Sequence, residues 1–169
     1  MLHATARVCS ASVAQALAHI ATGAGMARWN LGLWNCREVE PGLFTGESLF
    51  DGATGWVRVV VHAERALVDY LVGADQSALT LRIRASVIAG ETLGHPAGSC
   101  VVAFEAWRTA GMDDDRWDCL VHTHETEIEL IRAQLGANMP SQPLPSGVDR
   151  PTPLSVVRSP PTVRRSRSR

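Results

Sequence analysis

Residues 116–135 read RWDCLVHTHETEIELIRAQL, with two histidines (His122, His124) and three glutamates (Glu125, Glu127, Glu129) in one short stretch. Imidazoles and carboxylates at this density could ligate a metal, move protons or keep a helix surface wet. Helical phase separates these uses. With His124 at zero, Leu120, Ile131, Trp117, Leu135, Ile128 and Val121 fall between about −40° and +60° at about 100° per residue. His124 therefore sits in the middle of an apolar stripe. Glu127 flanks it at about −60°, whereas His122 points away at about 160° with Glu129 and Thr126, and Glu125 lies at about 100°.

The two rings cannot meet on one metal from a regular helix. The string HTHE resembles the His-x-His motif of some metallohydrolases, but the further Asp and His ligands of those sites are missing. No metal and no cofactor are expected. Glu125, Glu129 and His122 read as a solvated face. His124 keeps two readings: a core histidine bonded to a neighbour, or a ring lining a cavity with Glu127 or Glu105 adjusting its proton affinity.

The elements that must position these residues follow from period and punctuation. Residues 2–9 alternate as a strand. Ser12 can cap a helix over Val13, Leu17 and Ile20, and a short second helix ends near Gly32. A series of period-2 segments then runs to residue 108, broken at Pro41-Gly42, Asp51-Gly52 and the loop GETLGHPAGS. This pattern predicts an antiparallel meander with one wet face. In one segment Leu79, Leu81, Ile83, Ala85 and Val87 share a face opposite Thr80, Arg82, Arg84 and Ser86. Val102, Phe104 and Ala106 oppose Glu105 and Trp107 in the last strand, and spacing leaves open which face looks inward. Asp113, Asp114 and Asp115 suit a helix N-terminus, and Gly136 is read as the stop of the final helix.

The bulk numbers bound the rest. The chain has 169 residues, 46% of them hydrophobic and 20% charged, with a net charge of −1. That is one domain with a sizeable core. The charge is uneven: residues 1–136 carry most of the acids, whereas 137–169 hold six arginines against Asp149. Residues 1–136 are read as the domain, and 137–169 as a disordered Pro/Arg-rich tail. All sixteen basic residues are arginine, a bias expected of a GC-rich, bacterial genome. Four scattered cysteines suit a reducing compartment. The N-terminal segment makes a poor signal peptide and no stretch is long enough to span a membrane, so a cytoplasmic location is expected. Nucleic acid is an unlikely partner at this net charge.

The order of elements resembles the SRPBCC superfamily, which holds the START-like lipid carriers, the Bet v 1 relatives and the polyketide cyclase/dehydrase-like proteins. The strings ASVAQALAHIATGAGMARWN, ESLFDGATGWVRV and AWRTAGMDDDRWDCLVHTHETEIELIRAQL carry the resemblance, over residues 1–136. It implies an α+β helix-grip fold: a curved antiparallel sheet wrapped around a long C-terminal helix, with an internal cavity. On that reading the stripe with Leu120, Val121, His124 and Ile128 faces the cavity. Trp29, Tyr70, Trp107 and Trp117 are its aromatic walls, and Glu105 is a further lining candidate. The expected function is binding of a hydrophobic small molecule: a lipid, a polyketide or an aromatic metabolite. The alternative is a cyclase, dehydratase or isomerase using His124 as general acid or base, with Glu127 assisting. Fold alone does not choose between them.

Overall fold

The structure is a computed structural model and describes residues 1–137. The expected tail lies outside the described residues, apart from Ala137.

Strand β1 (Leu2–Cys9) leads into helix α1 (Val13–Ala21) and the short α2 (Gly23–Trp29). Ser12 caps α1 by accepting the Gln15 N–H, while the Gln15 side chain accepts the Ser12 N–H, a complete capping box. The turn from α1 into α2 is tight. A Cβ on Gly25 would lie 1.8 Å from the His19 carbonyl oxygen, so only glycine lets α2 pack here.

Six strands follow: β2 (Trp34–Glu40), β3 (Leu43–Glu47), β4 (Thr54–His62), β5 (Leu67–Gly73), β6 (Thr80–Ala89) and β7 (Cys100–Trp107). With β1 they form one antiparallel sheet in the order β1-β7-β6-β5-β4-β3-β2. β1 thus closes against the last strand of the meander, pairing Leu2 with Trp107 through to Cys9 with Cys100. The sheet stays open, with β1 and β2 at its edges.

Helix α3 (Asp114–Ala137) crosses the inner face. Asp113 starts it, its Oδ1 accepting the Arg116 N–H at 2.7 Å. The helix does not stop before Gly136: that glycine keeps helical geometry and the helix continues to Ala137. A single glycine costs only about 1 kcal/mol against alanine, and nothing here demands the left-handed cap.

The core lies between α3, α1 and the sheet, with Ile20, Val68, Val102, Ile128 and Ile131 fully buried. Strand β7 settles which of its faces looks inward. Cys100, Val102, Phe104 and Ala106 are buried, and the residues between them, including Glu105 and Trp107, are half-buried on the other side.

One expected face is broken. Tyr70 pairs with Ile83 but Leu71 pairs with Leu81, so Arg82 is an extra residue without a partner on β5. A bulge of this kind re-aims side chains. Arg82 comes to the inner side next to Ile83, and Leu81, expected inside, is 41% exposed.

The outer acids of α3 are more than a solvated face. Glu125 accepts from Thr5 (3.0 Å) and Arg7 (3.1 Å) of β1, and Glu129 pairs with Arg7 and Arg132. These pairs are partly exposed and together clip α3 to the sheet edge.

Candidate functional site

Between α3 and the inner face of the sheet lies a cavity of about 130 Å³. Its positioning begins with three aromatic rings from different elements. Trp29 ends α2, Tyr70 stands on β5 and Phe104 on β7. Trp29 and Phe104 are 5.5 Å apart between ring centroids; Tyr70 meets both edge-on at 6.3 and 6.4 Å. Each polar handle is tied to backbone: the Tyr70 hydroxyl donates to the Ile20 carbonyl at 2.8 Å and the Trp29 indole to the His19 carbonyl at 3.4 Å. The rings are thus fixed and present apolar faces to the space between them.

Helix α3 supplies the opposite wall. Arg116, Leu120, Thr123, His124 and Glu127 line the cavity. On the helical wheel they span about −100° to 0° from His124. The cavity therefore meets one flank of the apolar stripe rather than its centre. Trp117, Val121 and Ile128, on the other flank at about +20° to +60°, do not line it. Trp117 is buried beside Ala106 and Leu120, Val121 packs on that cluster, and Ile128 is fully buried in the main core. Glu105 and Trp107 also stand outside the cavity wall, because the inward face of β7 carries Phe104.

His124 is 3% exposed, and its Nδ1 is buried with no hydrogen-bond partner among the described residues. Its ring lies 6.0 Å from Phe104 and 6.1 Å from His3 of β1. Burial, with a smaller contribution from His3 and a small opposing one from Glu125, lowers its pKa to about 4. The ring is neutral at pH 7. His3 Nε2 approaches Glu125 Oε1 to 3.4 Å, but without the alignment of a hydrogen bond.

Glu127 is 4% exposed, and burial raises its pKa to about 7. Two backbone donors limit that rise: its Oε1 accepts the N–H of Leu31 at 2.7 Å and of Gly32 at 3.3 Å. This carboxyl holds the loop after α2 against α3 and also faces the cavity.

Nine of the fourteen lining positions went unread in the sequence, and for four of them the reason is physical. Phe104 is on the β7 face that spacing left open. Phe50 lies in the β3–β4 loop, where no period applies. Arg82 arrives through the bulge. Arg116 is in the first turn of α3, at the flank of its stripe. Its guanidinium lies 4.2 Å from the centroid of the Phe50 ring. Phe50 and Thr123 belong both to the cavity and to an open surface groove beside it, which places the mouth at the Phe50 loop. His122 lines only that groove and is exposed. Among the described residues no group of three or more His, Cys, Asp or Glu side chains is arranged to hold a metal.

A seven-stranded antiparallel sheet gripping one long C-terminal helix, with α1 and α2 between its first two strands, decides the fold. The chain has the START-like helix-grip fold. Solved structures that share this fold include a START superfamily protein from Mycobacterium smegmatis, at 13% identity and a TM-score of 0.60, covering 79% of this chain and 96% of that one. The di-domain ARO/CYC BexL from the BE-7585A biosynthetic pathway matches at 15% identity and a TM-score of 0.59, over 79% of this chain and 45% of that one. The protein Ara h 8.0201 matches at 12% identity and a TM-score of 0.52, over 82% of this chain and all of the other. The sequence matches no family model and no curated protein. At these identities the likeness concerns the fold. No described helix of this START-like chain is long and apolar enough to cross a membrane.

Proposed function

We propose that the protein binds a hydrophobic small molecule in the cavity between α3 and the sheet. The carrying observation is that Trp29, Tyr70 and Phe104 wall a space whose other side presents the unpartnered Nδ1 of His124. A mostly apolar concavity with few polar groups is the usual form of a small-molecule site. A buried nitrogen without a partner costs roughly 1–3 kcal/mol, and a ligand acceptor or donor would recover part of that.

Size narrows the ligand class. Sites for drug-sized molecules run to about 300–1,000 Å³, while an apolar cavity near 150 Å³ takes a single aromatic ring. At about 130 Å³ the site suits an aromatic metabolite or one ring of a polyketide, with any longer part leaving past Phe50. The fold shared with a START superfamily protein and an ARO/CYC protein supports a hydrophobic small molecule without choosing its class.

Calorimetric titration with the uncharged 2-naphthamide tests this. The wild type should bind it, and Leu120→Phe, which adds bulk to the wall, should weaken binding by about tenfold, or about 1.4 kcal/mol. Equal binding by both proteins would place the ligand elsewhere.

A second reading rests on Glu127. A carboxyl with a pKa of about 7 on a cavity wall is suited to move protons at neutral pH. With His124 near 4, Glu127 is the better general acid or base of the pair. A cyclase, dehydratase or isomerase would use it on a ring held against Phe104, with His124 as the neutral hydrogen-bonding partner.

A further inference from the structure

Arg82 and Arg116 both line the cavity, one from the bulge in β6 and one from the first turn of α3. Nε of Arg82 and Nη1 of Arg116 are buried, with no hydrogen-bond partner among the described residues. Neither guanidinium takes part in any of the ion pairs formed among the described residues. The protein's other sheet arginine of this pattern behaves differently: Arg84, two residues on, makes a two-pronged pair with Asp69 on the outer face, at 2.6 and 3.0 Å.

Both arginines are half-buried, and a positive group that gives up part of its water without an ion pair carries a cost. They are also near enough to repel, since burial first and Arg116 second lower the pKa of Arg82. Arg116 lies over the face of Phe50, and the rim acid Asp51 attracts it from a distance without forming an ion pair. Asp51 is itself held by the Ala53 N–H at 3.0 Å and stays outside ion-pair distance of both arginines. The missing partner is therefore an anion.

We infer that the cavity ligand is an aromatic or cyclic acid whose carboxylate is held between Arg82 and Arg116, its ring lying against Trp29, Tyr70 and Phe104. This rests on the cavity reading above and adds the charge of the ligand to it. A planar guanidinium pairs with a carboxylate through two parallel hydrogen bonds, stronger and more directional than neutral ones. The polarity of the cavity orients the molecule. Glu127 is eleven residues after Arg116 on α3, about 16 Å along the axis at 1.5 Å per residue. The acid group turns to the arginine end, near the mouth, and away from Glu127. The bulge has a use on this account, because regular alternation would aim Arg82 outward.

Paired acids and amides of one shape test it: benzoate against benzamide and 2-naphthoate against 2-naphthamide, titrated calorimetrically at pH 7.5. The wild type should prefer each acid over its amide by about tenfold or more, the scale of a charge-assisted pair. Arg82→Gln and Arg116→Gln should each remove most of that preference and leave amide binding within about twofold. Arg82→Lys, which keeps the charge but not the fork, should retain part of it. Melting temperatures of the glutamine variants at or above wild type would confirm that they fold. Equal affinity for acids and amides, unchanged by either substitution, would overturn the anion assignment and leave the cavity reading intact. If neither acids nor amides bind the wild type, the cavity reading falls and this inference with it.

Discussion

Glu127 Oε1 accepts the Leu31 N–H at 2.7 Å from a buried position on α3. One carboxyl thereby fixes the loop between α2 and β2, closes one end of the cavity and faces its interior. The electrostatic consequence is measurable. Its folded pKa of about 7 lies above the ordinary 4.5. Between these values the folded state keeps a proton that the unfolded chain has released, so stability falls as pH rises from about 4.5 through about 7. Glu127→Gln still offers an oxygen to Leu31 but cannot ionise. Chemical denaturation at pH 8 should find the variant more stable than wild type by up to about 3 kcal/mol, with the gap closing below pH 5. A variant less stable at pH 8 would mean that the ionised carboxylate is fully compensated.

His124 has the opposite sign. Its pKa of about 4 lies below the ordinary 6.5, so between these values the unfolded chain binds a proton that the folded state refuses. Stability is complete above about 6.5 and is lost as pH falls through about 4. His124→Gln should flatten that acid limb and leave the denaturation midpoint at pH 7.5 within about 1 kcal/mol, because its Nδ1 has no bond to lose. A loss of several kcal/mol at pH 7.5 would restore the reading of His124 as a bonded core histidine.

The buried and outer faces of α3 should respond differently. Ile128 is fully buried in the main core, so Ile128→Asp should cost several kcal/mol and lower the denaturant midpoint sharply. Glu129 pairs with Arg7 and Arg132 but is 42% exposed, so Glu129→Ala should cost under about 1 kcal/mol. Equal shifts in denaturant midpoint would contradict the helix phase.

Phe50 should control exchange more than affinity. It belongs to both the cavity and the outer groove and stacks on Arg116. In stopped-flow experiments Phe50→Ala should speed both association and release of 2-naphthamide by severalfold, with a smaller change in affinity. Unchanged rates would place the mouth elsewhere.

Much of this architecture is legible in the sequence because its signals are local. Ser12 and Gln15 announce α1, the Gly and Asp breaks delimit the strands, and the apolar spacing of residues 117–135 gives the phase that buries His124 and exposes His122. The cavity wall is less legible because it depends on long-range placement. Alternation sends Arg82 outward, and only the register shift against Tyr70 and Leu71 reverses it. Spacing divides β7 into two faces but cannot say that Phe104, not Glu105 and Trp107, looks inward. The stripe on α3 gives the apolar arc, whereas the packing of α1 and the sheet decides that Ile128 and Trp117 fill solid core while Leu120 and Glu127 border empty space. Gly136 carries the composition of a stop without the left-handed backbone that would make it one.

The central claim is that the space between Trp29, Tyr70, Phe104 and His124 holds an apolar ring. Proton NMR of the complex with 2-naphthamide tests it directly, through nuclear Overhauser contacts between naphthyl protons and protein side chains. The bound ring should show contacts to Phe104, Tyr70 and the indole of Trp29, with shifted His124 ring protons. Contacts confined to exposed apolar residues such as Leu49, Leu81 or Leu93, with the Trp29 and His124 signals unmoved, would contradict it.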